Sequence, residues 1–145
     1  MSEKIILLVE DNPSDEALTL RALGKNNIGS TVVVKRDGAE ALDYLLGPRS
    51  NSGGACALPQ LTLLDLNLPK IDGLEVLRRI RADARTRLLP VVILTSSRED
   101  TDMVRGYGFG ANGYVCKPVD FVQFADAVRQ IGLYWLIINE RPPTV

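Results

Sequence analysis

Short runs of unbroken apolar residues recur along this chain, and each is followed by a segment with helical spacing. Ile5–Val9 reads IILLV, with no polar alternation, as expected of a strand buried on both faces. Asn12-Pro13 then supplies a cap and a proline at the first helical position, opening a helix over Ser14–Leu23 that ends near Gly24. Thr31–Lys35 is β-branched and predicts a second strand. Asp37 with Glu40 three residues on forms a capping signature, ahead of a helix with Ala39, Leu42 and Leu46 on one face. Gln60–Leu66 is the third strand, and Asp72 with Glu75 repeats the capping signature before Leu74, Leu77 and Ile80. PVVILT at Pro90–Thr95 is the fourth strand. Residues 99–110 make a weak helix, because Gly106, Gly108 and Gly110 each cost about 1 kcal/mol relative to alanine. Gly113–Cys116 is the fifth strand. The last helix carries Phe121, Phe124, Ala125, Val128, Ile131 and Trp135 as an amphipathic stripe. Strands of this kind alternating with helices predict an α/β fold, a doubly wound parallel sheet covered on both faces.

With 145 residues the chain is long enough to bury a core as one domain, without disulfide or metal staples. A formal net charge of −1 gives no general attraction to nucleic acid or to an anionic membrane. Cys56 and Cys116 form neither a CxxC motif nor a zinc spacing, which fits a reduced cytoplasmic chain. The N-terminal apolar stretch is too short for a signal peptide, and no run approaches a membrane span. Histidine is absent altogether. That excludes Ser-His-Asp and Cys-His catalysis, histidine-ligated metals and a phosphohistidine carried by this chain. Carboxylates, hydroxyls and lysine remain.

In doubly wound sheets, ligands bind beyond the carboxyl ends of the strands. Strand 1 ends in Glu10-Asp11, strand 3 in Asp65, strand 4 in Thr95-Ser96 and strand 5 in Lys117-Pro118. Parallel neighbours would therefore gather three carboxylates, hydroxyls and an ammonium on one edge. Two carboxylates 4 Å apart repel by roughly 4 kcal/mol at an effective dielectric constant of about 20. A hard divalent cation with oxygen ligands relieves that repulsion, and Mg²⁺ fits the donor set. Asp37 and Asp72 have the simpler role of helix caps.

This ordered set resembles the receiver domain of two-component response regulators, over about residues 4–132. The resemblance rests on Glu10-Asp11, on Asp65 followed by Asn67, Pro69 and Asp72-Gly73, and on Thr95, Tyr114 and Lys117-Pro118. Thirty residues separate Asp65 from Thr95 and 22 separate Thr95 from Lys117, as in that family. It implies a flavodoxin-like (βα)5 fold with strand order 2-1-3-4-5. It also implies a switch that accepts a phosphoryl group on Asp65 from a partner histidine kinase and then changes its protein-binding surface. Asp11, Asp65 and the backbone carbonyl of Asn67 would hold Mg²⁺, with Glu10 acting through water. Lys117, Thr95 and Ser96 would contact the phosphoryl group, and Thr95 with Tyr114 would form the switch. Catalysis would be limited to slow autophosphorylation from small donors and slow autodephosphorylation.

The enzyme reading considered beside it is an Mg²⁺-dependent aspartyl-phosphate phosphatase of haloacid-dehalogenase type. Its general acid would stand two residues after the nucleophile, where this chain has Asn67. A flavodoxin-type cofactor site is opposed by the acids after strand 1, where a cofactor phosphate would lie. GYGFGA at 106–111 follows a polar helical stretch rather than a strand, so it is not a dinucleotide fingerprint.

Two features exceed a minimal receiver. Residues 47–59 (GPRSNSGGACALP) make a long surface loop, and Leu133–Ile138 is apolar without a break. A single helix needs only one apolar face, so Leu133, Tyr134, Trp135, Ile137 and Ile138 are dimer candidates in a C-terminal extension over 133–145. Both features, together with NPSDE after the acidic pair, resemble single-domain regulators that partner bacteriophytochrome-type histidine kinases. After residue 132 no DNA-binding output domain is expected, nor any nucleic-acid or membrane partner.

Overall fold

The computed structural model describes residues 4–25, 30–47, 58–140 and 142. Five parallel strands lie in the order β2-β1-β3-β4-β5. They are β1 (Lys4–Val9), β2 (Ser30–Lys35), β3 (Leu61–Leu64), β4 (Val91–Thr95) and β5 (Gly113–Cys116). The helices between and after them are α1 (Pro13–Lys25), α2 (Gly38–Leu46), α3 (Gly73–Ala82), α4 (Asp100–Gly108) and α5 (Phe121–Leu133). A single π-helical turn, Tyr134–Ile138, extends α5. The fold class and strand order are those expected from the sequence.

Side chains on a strand alternate between faces, and this parity divides the core in two. Leu7, Val9, Leu64, Val91 and Ile93 pack with α2 and α3 on one face. Ile6, Leu8, Leu61, Leu63, Val92 and Leu94 pack with α1 and α5 on the other. Each of these side chains is at least 90% buried, so the central strands are buried on both faces, with Thr62 and Thr95 as buried polar positions in β3 and β4.

Two expectations need correction. The third strand is shorter than Gln60–Leu66, because the ladder to β4 runs only from Thr62 to Leu64 and the chain then turns. The buried face of α2 is Ala41, Leu42 and Leu45 rather than Ala39, Leu42 and Leu46. Capping by Asp37 starts the helix so that Ala41 and Leu45, one turn apart, meet the sheet. In the tail, Leu136, which is not among the dimer candidates, is buried, and Trp135 lies half-buried against the α1/α5 side of the core, where the stripe of the last helix places it. Lys4 ties the tail down by donating to Leu136 O at 3.0 Å. Most of the 47–59 loop, including Cys56, lies outside the described residues.

The turn after β3 is unusually tight. Lys70 has φ +68°, and Gly73 N–H donates to Leu66 O at 3.0 Å, closing the loop on itself. A Cβ at Gly73 would stand 2.2 Å from the Asp65 carbonyl oxygen, an impossible contact. Gly73→Ala should therefore destabilise the fold by about 1–3 kcal/mol through overpacking. Urea denaturation checks this, and an unchanged midpoint would show that the loop gives way freely.

Candidate functional site

The ladder continues one residue past the strands and so fixes the backbone of each site residue. Glu10 N–H donates to Lys35 O at 3.0 Å, Asp65 N–H to Val9 O at 3.1 Å and Lys117 N–H to Thr95 O at 2.7 Å. Parity then aims the side chains. Glu10 follows Leu8, Asp65 follows Leu63 and Lys117 follows Val115, all on the α1/α5 face. Thr95 and Tyr114 follow the opposite parity, toward α3 and α4.

The three same-face groups meet at the open end of the sheet. Lys117 Nζ donates to Glu10 Oε1 at 2.7 Å and to Asp65 Oδ2 at 3.0 Å. Only 2% of Glu10, 6% of Asp65 and 9% of Lys117 is exposed, so these charges interact with little screening. A third acceptor, Asp15 Oδ2, lies 2.8 Å from the same ammonium. In the sequence Asp15 is an ordinary acid of the first turn of α1. The same parity, with α1 on that face, would have placed it near Lys117.

Burial pushes the Glu10 carboxyl up to about 7, with the Asp65 charge adding to the effect and Lys117 opposing it. Burial acts on Asp65 in the same direction. There the Lys117 charge and hydrogen bond, helped by bonds from Thr95 and Glu10, prevail and hold the carboxyl below its usual range. For Lys117, burial is outweighed by Asp15, Glu10 and Asp65, which raise its pKa and keep it charged. One carboxyl of the pair is thus disposed to keep a proton and the other to lose it.

Carboxylate oxygens of Glu10, Asp11 and Asp65 all lie within 4.8 Å of one another. Glu10 and Asp65 are buried while Asp11 is exposed, so the cluster opens to solvent on one side. An all-oxygen anionic set of this kind fits a hard divalent cation. Asn67 is exposed, and its N–H donates to Asp65 Oδ1 at 3.2 Å. It supplies no carboxyl for the general-acid step of the phosphatase alternative. Ser96 is exposed one residue beyond the buried Thr95.

On the other face, Tyr114 Oη donates to Ser97 O at 3.1 Å and Ser97 Oγ to Asp102 Oδ2 at 2.6 Å. Ser97 N–H donates to Thr95 Oγ1 at 3.4 Å. Ser97 was not singled out in the sequence, where it is one hydroxyl residue in a polar loop. In α4 only Gly106 is buried, and no side-chain bond caps its start at Glu99, as its weak sequence leads one to expect. Asp37 and Asp72 are caps as predicted, accepting the N–H groups of Glu40 and Glu75.

A five-stranded 2-1-3-4-5 sheet with acids after β1 and β3 and a lysine after β5 defines the receiver class. A model of the response regulator receiver domain matches residues 6–129, and the chain belongs to that family. It is a phosphorylation-dependent signalling protein of the two-component type, which implies a histidine kinase partner, and is not a conventional enzyme. Response regulator Rcp1 of Synechocystis sp. is 37% identical over 135 residues, covering 92% of this chain and 89% of Rcp1. The crystal structure of its Mn²⁺-bound form aligns with a TM-score of 0.88 at 34% identity over 97% of this chain and 99% of that one. The phosphorylated cyanobacterial phytochrome response regulator RcpA aligns with a TM-score of 0.90 at 37% identity, covering 98% of this chain and all of RcpA. The bacteriophytochrome response regulator AtBRR is 50% identical with a TM-score of 0.74, over 97% of this chain and 100% of its own. Among the described residues no helix is long and apolar enough to cross a membrane.

The raised Glu10 pKa has a thermodynamic consequence. Between the ordinary carboxyl value of 4.5 and about 7, the folded metal-free protein holds a proton that the unfolded chain has released. That stability is complete below pH 4.5 and is lost as pH rises through about 7. Asp65 works in the opposite sense, its contribution being lost only as pH falls below its ordinary 3.8. In EDTA, the unfolding free energy should fall by at most about 3 kcal/mol between pH 4.5 and 8. Saturating Mg²⁺ should offset the loss. A flat profile in urea titrations with EDTA would contradict the assignment.

Proposed function

We propose that Asp65 is the phosphoacceptor, taking a phosphoryl group from the histidine of a partner kinase with Mg²⁺ held by Asp11, Asp65 and the Asn67 backbone carbonyl. The observation that supports this most is the ionised Asp65 carboxylate, buried at the end of β3 and paired with Lys117. Having no histidine, the chain must draw its phosphoryl group from another molecule. An Asp65 oxygen attacks phosphorus, an O–P bond forms, and the P–N bond to the donor imidazole breaks, leaving its electron pair on nitrogen. The cation, when bound, neutralises charge on the phosphoryl oxygens. Glu10 would act on it through water. Lys117 pairs with a phosphoryl oxygen, Thr95 donates a hydrogen bond to another, and Ser96 adds a hydroxyl at the exposed mouth. Small donors such as acetyl phosphate load Asp65 slowly, and the acyl phosphate hydrolyses slowly.

Phosphorylation adds a charge of about −1.5 to −2 and new acceptor oxygens. Thr95 follows these oxygens, Ser97 moves with it, and Tyr114 leaves its bond to Ser97. Residues 1–132 form the receiver, and 133–145 form an extension that contacts a second copy of the chain. Leu133, Tyr134, Ile137 and Ile138 are exposed by 37–62% and supply that surface, while Trp135 supports it from beneath. The likeness to RcpA and AtBRR supports a kinase of the bacteriophytochrome type and a cytoplasmic protein that signals by protein contact.

With acetyl phosphate or beryllofluoride plus Mg²⁺, the wild type should respond in Phos-tag electrophoresis or NMR and Asp65→Asn should not. Equal responses would defeat the assignment of Asp65. Thr95→Ala should take up phosphate yet show a smaller shift of the Tyr114 resonances; an undiminished shift removes Thr95 from the switch. Light scattering after size exclusion at micromolar concentration should give a dimer that Ile137→Glu disrupts, and a strictly monomeric wild type sinks the tail interface.

A further inference from the structure

Three acceptors surround the Lys117 ammonium, and one of them has no role in the scheme above. Asp15 Oδ2 lies 2.8 Å from Nζ, as close as Glu10 Oε1 at 2.7 Å and Asp65 Oδ2 at 3.0 Å. An ammonium has three N–H donors. Glu10, Asp65 and Asp15 use all of them.

The start of α1 explains why this carboxylate is free to reach Lys117. Asn12 caps the helix, its side-chain oxygen accepting the N–H groups of Ser14 at 2.9 Å and Asp15 at 3.1 Å. In a reciprocal capping box, the acid three residues on bonds back to the N–H of the cap. Here Asn12 N–H donates to Glu10 Oε2 at 3.2 Å instead. Asp15 is thereby released from capping and spans from α1 to β5. Its carbonyl accepts the hydroxyl of the fully buried Thr19 at 2.7 Å, which steadies the turn.

Building on the phosphoacceptor reading, we propose that Asp15 is a positioning residue for Lys117, the counter-ion that retains the ammonium while Glu10 and Asp65 turn to a divalent cation. Glu10 and Asp65 carry two demands, since both belong to the carboxylate cluster and both accept from Lys117. Asp15 belongs to the second set alone. With Asp15 in place, Lys117 gives up a share of the other two carboxylates and keeps an anionic partner. Without it, the whole ammonium charge falls on Glu10 and Asp65 and competes with the cation. Asp15 touches neither the cation cluster nor the attacking oxygen and acts through Lys117.

Asp15→Asn removes the charge and keeps the shape. Calorimetric titration with Mg²⁺ should show a Kd raised about tenfold, as for loss of one charge-assisted hydrogen bond. Asp15→Glu should recover part of the affinity. Asp15→Ser, well suited to a first helical turn, should weaken binding as Asp15→Asn does and stands in for it if the amide variant folds poorly. In a Lys117→Gln background, Asp15→Asn should change the Kd less than about twofold, because its effect runs through the ammonium. Unchanged affinity in Asp15→Asn and Asp15→Ser overturns the assignment, and so does equal weakening with and without Lys117. Labelling of Asp65→Asn by acetyl phosphate judges the phosphoacceptor reading separately, since the Mg²⁺ cycle between Asp15 and Lys117 does not depend on phosphate.

Discussion

The Lys117 ammonium is the charge around which this site is built. Burying two carboxylates side by side in a low-dielectric edge is costly, and a buried charge is tolerated only when paired and hydrogen-bonded. Lys117 supplies that pairing to Glu10 and Asp65 at once. The requirement reaches deep into the fold. β1, β3 and β5 must be parallel and in register, and their side-chain parity must agree, for three residues distant in sequence to meet on one face. A slip of one residue in any of these strands would turn its site residue to the opposite face. The continuous apolar runs resist such a slip poorly by themselves, because they are apolar at both parities. Register is pinned instead by the turns: the Gly73 contact with the Asp65 backbone leaves β3 only one way to end.

The two faces of the sheet differ in how firmly they are held. On the α1/α5 side, the site rests on Leu8, Leu63 and Leu94, backed by Phe124 and Val128. On the other side, beneath Thr95 and Tyr114, lies α4, which buries only a glycine and exposes Val104 and Tyr107. A Cβ at Gly106 would stand 2.8 Å from Ile93 Cδ1, so the glycine allows the helix to lie close to β4 while giving it little apolar area to bury. Burial at about 25 cal/mol per Å² is what anchors a helix. An element with so little of it opens and shifts at low cost. The chemistry thus stands on the rigid face and the proposed response on the loose one.

Most of the fold was legible because unbroken apolar strands and capped amphipathic helices are local patterns. Asp37, Asp72 and Asn12-Pro13 marked helix starts correctly from residue type and spacing alone. The acids, Thr95 and Lys117 were legible as strand ends, and strand ends of a parallel sheet converge. Asp15 was missed because a first-turn acid has an ordinary explanation in the helix dipole. Its other use depends on a bond made between Asn12 and Glu10. The face of α2 was misassigned for a related reason: Ala39, Ala41, Leu42, Leu45 and Leu46 fit two adjacent stripes, and only packing on the sheet selects one. The inward side of the tail was legible at Trp135 from the amphipathic stripe of the last helix, whereas nothing in LYWLII announces a π-helical turn. Within that turn Leu136 is buried and Trp135 half-buried, while Ile137 and Ile138 are exposed.

Thr95 links the two faces. Its hydroxyl helps hold the Asp65 carboxyl below its usual range and accepts the N–H of Ser97 at 3.4 Å, a long and readily exchanged bond. Ser97 in turn holds Tyr114 through its carbonyl and the first turn of α4 through its hydroxyl on Asp102. A phosphoryl oxygen is a stronger acceptor than a carboxylate already committed to an ammonium, so on the proposed reading it draws the Thr95 hydroxyl to itself. The weakest bond in the set, from Ser97 N–H, is the one placed to break. Every further contact of Ser97 lies on the loosely held side of the sheet, where a displaced loop meets the least resistance from packing. The path from Asp65 to the α4 surface is therefore short, and it runs through hydrogen bonds rather than through the core, which need not repack for the surface to change.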